Sequence, residues 1–143
     1  MKEGEGHPVP AISVVIPCFR AGEYLAEAIE SVFSQSEKDW ELILVDNNAA
    51  SDTKEVIKRY HLLNKDKIRV FHEENQGSSF SRNRGFIESR GKFVAFLDDD
   101  DIMYPDRLVL QKKALNDLPH SDAVFTGFSK GNGLKIGENF GSV

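Results

Sequence analysis

The chain has 143 residues, 18 of them Lys or Arg and 23 Asp or Glu, for a formal net charge of −5. That length suits one domain with its own core, and 40% hydrophobic against 29% charged residues excludes a chain disordered throughout. The acidic balance argues against a duplex-DNA binder and predicts no nucleic-acid partner. No apolar run approaches the roughly 20 residues of a membrane span, and the single cysteine, Cys18, excludes an internal disulfide and fits a reducing compartment.

Met1–Pro10 is rich in Gly, Glu and Pro, lacks the apolar centre of a signal peptide, and reads as a disordered lead-in. The apolar run Ile12–Ile16, broken by Ser13 and stopped by Pro17, predicts a strand buried on both faces. Over Glu23–Gln35, Leu25, Ala28, Ile29, Val32 and Phe33 recur at helical spacing. Trp40–Val45 predicts a second strand ending at Asp46. A polar turn comes next, where Ser51 or Asp52 could cap a helix reaching about Leu63.

Ile68–Phe71 predicts a short third strand. The loop Asn75-Gln76-Gly77-Ser78-Ser79 leads into a helix up to about Ser89, with Gly91 as its C-terminal cap. Phe93–Leu97 predicts a fourth strand, and Pro105 opens a helix reaching Leu115. Ala123–Phe128 predicts a fifth strand. The organisation expected is a lead-in over 1–10, a domain over 11–130 and a glycine-rich tail over 131–143.

Alternating strands and helices predict an α/β fold, a mostly parallel sheet with helices on both faces. Ligands of such sheets bind at the carboxyl ends of the strands. Three segments therefore converge on one edge: Pro17-Cys18-Phe19-Arg20, Asp46-Asn47-Asn48 and Asp98-Asp99-Asp100-Asp101.

Adjacent carboxylates repel one another, and a hard divalent cation relieves them. Mg²⁺ takes one or two carboxylates, with substrate phosphates and waters completing its shell. In an extended segment Asp98 and Asp100 project to one side and Asp99 to the other, which makes Asp98 and Asp100 the pair for a shared metal. The plainer alternative is the acidic start of the next helix. Its position directly after a buried strand favours the site.

Asp46 and Asn47 suit base recognition, since a carboxylate accepts from a ring N–H and an amide both donates and accepts. The alternative is a self-bonded turn. Phe19 could stack on a base or pack in the core. Arg82 and Arg84 lie two apart in a helix, so one is expected to reach the site and neutralise phosphate, and the other to be a solvated surface arginine. A Gly-x-x-x-x-Gly-Lys-Ser/Thr loop and a Gly-x-Gly-x-x-Gly turn are absent. His7, His61, His72 and His120 lack zinc-ligand spacing. Cys18 reads as a small packing residue, not a nucleophile.

Ile12-Ser13-Val14-Val15-Ile16-Pro17-Cys18-Phe19 resembles the opening strand of family 2 glycosyltransferases of the GT-A fold. Leu44-Val45-Asp46-Asn47 resembles their second strand and its acidic end. Asn75-Gln76-Gly77 with Ser81-Arg82-Asn83-Arg84-Gly85 is similar to their Asn-x-Gly…Ala-Arg-Asn-x-Gly segment. Phe96-Leu97-Asp98-Asp99-Asp100-Asp101 looks like their Asp-x-Asp motif, and Pro105-Asp106-Arg107-Leu108 resembles the segment after that motif. The resemblance spans roughly Ile12 to Phe128.

The resemblance implies a Rossmann-like nucleotide-binding half, a nucleotide-diphosphate-sugar donor (a UDP-sugar first among them), Mg²⁺ or Mn²⁺, and a glycan, lipid-linked or other acceptor. It implies that Pro17 and Phe19 line the base pocket, that Asp46 and Asn47 contact base or ribose, and that Arg82 lies near the nucleotide. Asp98 and Asp99 would hold the nucleotide sugar, and Asp100 the metal at the diphosphate. It also implies inversion at the anomeric carbon by direct displacement, at the cytoplasmic face of a membrane or free in the cytoplasm.

Phe19 stands where Tyr is usual, Arg20 where Asn is, and Asn47 where a second Asp is common, which leaves the base open. The general base of the family lies well past the Asp-x-Asp segment. No catalytic residue is therefore assigned within this chain, and the base is expected beyond Val143, in the other half of a longer enzyme. Two alternatives remain at this point: a sugar-phosphate nucleotidyltransferase, and a non-catalytic metal- or carbohydrate-binding module.

Overall fold

The structure, a computed structural model, describes residues 8–127. The lead-in assigned to 1–10 therefore lies outside the described residues up to residue 7, as does the tail over 131–143. Four strands and four helices alternate: β1 (Ile12–Cys18), α1 (Glu23–Phe33), β2 (Trp40–Asp46), α2 (Ser51–Leu63), β3 (Ile68–His72), α3 (Ser78–Glu88), β4 (Phe93–Phe96) and α4 (Arg107–Asp117). The strands form one parallel sheet in the order β3-β2-β1-β4. This is the α/β architecture the alternation predicts.

Side chains alternate across the sheet, and the two faces differ in composition. One face carries Val14, Ile16, Leu42, Leu44 and Ile68, all with no exposed surface, packed against Leu25, Ile29 and Val32 of α1 and Val56 and Ile57 of α2. The other face has a small apolar cluster, Val15, Ile43 and Val45, under α3. Here Ser13, Glu41 and Arg69 occupy positions that are apolar on the first face.

Ser13 Oγ donates to Glu41 Oε1 at 2.6 Å, and Arg69 Nη1 donates to Glu41 Oε2 at 3.1 Å and to the Glu88 carbonyl at 2.8 Å. The backbone N–H groups of Arg90 and Gly91 close the network onto Glu41 and Ser13. A buried carboxylate is tolerated because every partner is supplied. The Ser13 that interrupts the first apolar run is thus the anchor for the turn between α3 and β4.

Several local expectations are corrected. β1 continues through Pro17 to Cys18. Leu97 N–H donates to the Val15 carbonyl, so odd-numbered positions of β1 face β4, and the β1–β4 pairing ends at Val15. The missing N–H of Pro17 therefore falls past the end of that ladder and costs no hydrogen bond. Gly91 does not cap α3, whose last residue is followed by an extended Ser89. A Cβ at Gly91 would lie 2.6 Å from the Ser13 backbone nitrogen, so this glycine is required by close chain approach. Neither Ser51 nor Asp52 caps α2. The N-cap is Ala50, without a side-chain bond.

Helix α1 stops at Phe33, and Gln35, expected as its last turn, is fully buried beyond it. Gln35 Nε2 donates to the Tyr104 carbonyl at 2.6 Å, and its Oε1 accepts from Leu108 N–H, which ties α1 to the start of α4. Pro105 lies in the turn before α4. The fifth strand expected over Ala123–Phe128 is not formed over 123–127, and residue 128 lies outside the described residues. Phe125 is 91% exposed, and a strand-like sequence becomes a strand only when another strand lies beside it.

Candidate functional site

The strand order reverses at β1: the chain lays β2 and β3 outward to one side, then returns to place β4 on the other. Such a reversal opens a crevice at the carboxyl ends of the sheet. A cavity of about 320 Å³ occupies that place, lined by Pro17, Cys18, Phe19, Asn47, Gln76, Ser78, Ser81, Arg82, Asp98, Asp99 and Asp100. Of the residues given a binding or metal role from the sequence, all but Asp46 line it, while Arg20, Asn48 and Asp101 of the three converging segments do not.

The acidic run reaches the crevice as a turn, not as an extended segment. Asp101 N–H donates to the Asp98 carbonyl, and the chain turns through Asp99 and Asp100. The expected division, Asp98 and Asp100 on one side and Asp99 on the other, is therefore replaced by three carboxyl residues facing one cavity.

Each meets different company. Asp98 Oδ1 accepts from Arg82 Nη2 at 2.6 Å. Asp99 Oδ2 accepts from the backbone N–H of Phe19 at 2.8 Å, a bond that joins the chain just past β1 to the chain just past β4. The Asp100 carboxylate accepts no hydrogen bond from the described residues and is exposed.

Burial pushes the Asp99 carboxyl above the ordinary Asp range. The Phe19 N–H pulls it back, and Asp100 and Asp98 push it up again. Asp101 is raised by burial and by Asp100 and Asp98, against the pull of Arg107. The negative charge of the cluster is thus only partly offset within the protein.

At the other end, Asn47 is buried and its side chain is fully engaged. Its Nδ2 donates to the carbonyls of Glu73 (2.8 Å) and Asn75 (2.7 Å), while its Oδ1 accepts from Gly77 N–H (2.8 Å) and Gln76 Nε2 (3.3 Å). One amide organises the loop that brings Gln76 and Ser78 to the crevice. Asp46 Oδ1 accepts from Ala49 N–H at 2.8 Å and its Oδ2 lies 3.7 Å from His72 Nδ1, so this carboxylate shapes the turn after β2. Phe19 is partly exposed with the Arg20 guanidinium 4.9 Å from its ring centre.

The choice between the two arginines of α3 is decided by the helix's seating. Arg82 enters the crevice. Arg84 pairs with Glu88 at 3.1 Å and lies over Phe71 with its Nε buried, so it is half-covered and not the solvated arginine expected. Cys18 is buried, donates weakly to the Ile16 carbonyl, and is pushed far up by burial and by Asp99 and Asp46, which keeps it a thiol.

Gln76, Ser78 and Ser81 were not singled out as site residues. The loop holding Gln76 and Ser78 was legible as a connection, but nothing local shows which of its side chains turn inward.

The family model described as Glycosyl transferase family 2 matches residues 13–137. The chain belongs to glycosyltransferase family 2. Among curated relatives, this glycosyltransferase sequence is 32% identical over 120 residues to a putative teichuronic acid biosynthesis glycosyltransferase, TuaG, of Bacillus subtilis, covering 84% of the chain and 47% of the relative. It is 39% identical over 119 residues to an uncharacterised glycosyltransferase of Methanocaldococcus jannaschii, covering 82% and 41%. A Rickettsia felis glycosyltransferase is 37% identical over 107 residues, 74% of the chain and 17% of that relative. The chain thus spans less than half the length of each.

Staphylococcus aureus TarS, solved as residues 1–349 in complex with UDP-GlcNAc, superposes with a TM-score of 0.70 at 25% identity, covering 89% of this chain and 37% of TarS. A mannosyltransferase of Pyrobaculum calidifontis, solved with GDP-Man and Mn²⁺, shares the fold at a TM-score of 0.64 and 20% identity, covering 76% and 32%.

A divalent cation is implied by the Asp-x-Asp pattern. Among the described residues no group of three metal-ligating side chains is assembled. The donors present are hard carboxylate oxygens, one of them in Asp100 unengaged, beside an arginine suited to phosphate. That set fits a cation of the Mg²⁺ or Mn²⁺ kind, which takes few protein ligands and completes its shell with phosphate and water. Among the described residues no helix is long and apolar enough to cross a membrane.

Proposed function

We propose that this chain is the donor-binding part of an inverting, metal-dependent glycosyltransferase that uses a nucleoside-diphosphate sugar, first of all a UDP-sugar. The observation that carries the reading is the joining of Arg82 with Asp98, Asp99 and Asp100 around one crevice at the strand reversal, in a chain of this family. The likeness to TarS in its UDP-GlcNAc complex supports the choice of nucleotide.

In this reading Pro17 and Phe19 flank the base, and Asp46 and Asn47 form the base end of the site, Asn47 by holding the 73–77 loop. Asp99 ties the two walls together through Phe19 and borders the sugar. Arg82 pairs with a phosphate. Asp98 and Asp100 would hold Mg²⁺ or Mn²⁺, whose charge would stabilise the departing nucleoside diphosphate. Direct displacement needs a base on the acceptor hydroxyl. That base and the acceptor site are assigned to sequence outside the described residues.

Calorimetric titration with UDP-, GDP- and dTDP-sugars, with and without Mn²⁺, tests the reading. Binding of one nucleotide class, dependent on metal and losing that dependence in Asp100→Ala, is expected. A folded sample that binds none of them at millimolar concentration would overturn it.

A further inference from the structure

We infer that the Arg82–Asp98 ion pair is an exchangeable latch that makes the cation and the diphosphate bind as a pair: Arg82 occupies Asp98 until a diphosphate draws the guanidinium away. The inference rests on the functional reading above and concerns how the ligands of that site depend on one another.

Three features carry it. Arg82 Nη2 and Asp98 Oδ1 are 2.6 Å apart, and the two side chains are 38% and 52% exposed, so each is free to change partner without unpacking the core. Asp99 is different, because its bond to Phe19 N–H fixes it between two chain segments. The third feature is the charge balance of the lining, which among the described residues sets three carboxyl residues against one arginine.

A cation arriving alone finds Asp98 already paired and must compete with the guanidinium. A diphosphate arriving alone meets the carboxylates at close range. Each ligand removes the other's obstacle. The diphosphate offers Arg82 a charge-assisted, forked partner in exchange for Asp98, and the freed Asp98 joins Asp100 toward the cation. Such mutual dependence is a coupling free energy and is reciprocal.

The test titrates Mn²⁺ into the 143-residue chain, with free Mn²⁺ read by electron paramagnetic resonance, first without nucleotide and then with saturating UDP. UDP is expected to tighten Mn²⁺ by about 5–150-fold, and Mn²⁺ to tighten UDP by the same factor. Arg82→Ala is expected to tighten Mn²⁺ alone by about 2–5-fold, the scale of an exposed ion pair. The same change should weaken UDP and reduce the coupling.

Arg84→Ala removes the same charge two residues on and is expected to leave Mn²⁺ binding unchanged. Arg82→Gln carries the same expectation as the alanine variant if that variant fails to fold. If Arg82 variants bind Mn²⁺ alone no more tightly and keep the coupling, the latch is overturned while the functional reading stands. If the unaltered, folded chain binds none of UDP, GDP and dTDP with Mn²⁺, the functional reading falls and the latch with it.

Discussion

The two faces of the sheet are held by different forces. Under α1 and α2, β1 and β2 present Val14, Ile16, Leu42 and Leu44, and the contact is continuous apolar burial. Under α3 the same strands present Ser13, Val15, Glu41 and Ile43, and the helix is held by a polar network at its C-terminal end and by one very close approach. At Gly85 an added Cβ would lie 2.2 Å from Val15 Cγ1.

Burial is non-directional and tolerates small shifts, whereas hydrogen bonds and a glycine contact fix a helix in one place. The face that carries Arg82 is the one whose helix position is set by directional contacts. Stability therefore resides mainly on one face, and the alignment of the crevice on the other.

Four measurements can break or sharpen that contrast. Leu42→Ala, in the apolar face, is expected to cost about 2–5 kcal/mol in chemical denaturation and to leave nucleotide affinity in the folded fraction unchanged. A large affinity loss there would mean that the faces are not separable.

Glu41→Gln keeps the shape but removes the charge facing Arg69 and leaves one oxygen to accept where Oε1 now serves Ser13 and Arg90 and Oε2 serves Arg69. A loss of about 1–3 kcal/mol is expected, together with faster amide exchange at Arg90 and Gly91.

Gly85→Ala drives a methyl into Val15. Overpacking of this kind costs about 1–3 kcal/mol. Nucleotide affinity should fall more than stability implies, because lifting α3 moves Arg82. Val15→Ala in the same chain should restore much of that affinity. Unchanged nucleotide binding in Gly85→Ala would argue that α3's seating does not set the site.

The smallest effect is expected at Glu37, which pairs with Lys112 and accepts the Asp39 N–H, remote from either face's central contacts. Lys112, then the Asp39 N–H, holds the Glu37 carboxyl below the usual Glu range. With the folded value lowered, the stabilisation is present above the ordinary Glu value and is lost as pH falls through the lowered one. Glu37→Gln should cost at most about 1 kcal/mol near neutrality and should flatten the acid limb of a stability–pH curve. An unaltered acid limb would show that the pair contributes nothing.

Much of the fold was legible because its signals are local. Strands β1 to β4 and helix α1 appear where apolar runs and spacing place them, and α2, α3 and α4 where turn, loop and proline signals do, with ends shifted by a few residues. The exceptions share a cause. Ala123–Phe128 looks like a strand, but without a neighbouring strand 123–127 form none. Pro17 looks like a stop, yet its position beyond the β4 ladder lets β1 continue. Gly91 looks like a cap and is instead a gap left for Ser13. Each depends on a contact made far along the chain.

The candidate site divides the same way. The residue types at the strand ends, and the resemblance they carry, were sufficient to assign Pro17, Phe19, Asn47, Arg82 and Asp98 to Asp100 to one crevice. Periodicity could show that Arg82 and Arg84 face apart, but not which one enters. That depends on how closely α3 sits over Val15. Nothing in Asp46 or Asn47 as residue types distinguishes contacting a base from holding the turn after β2 and the 73–77 loop.

The sequence by itself determined the alternation of elements, the parallel sheet and the gathering of acid and arginine at its carboxyl edge, because hydrophobic period and chain order act at short range. Only the tertiary structure decided that Arg82 pairs with Asp98, that Asp99 bridges to Phe19 and that Asn47 organises a loop. Those choices are made between groups 16, 80 and up to 30 residues apart, where burial, close approach and hydrogen-bond geometry select partners that sequence spacing leaves equal.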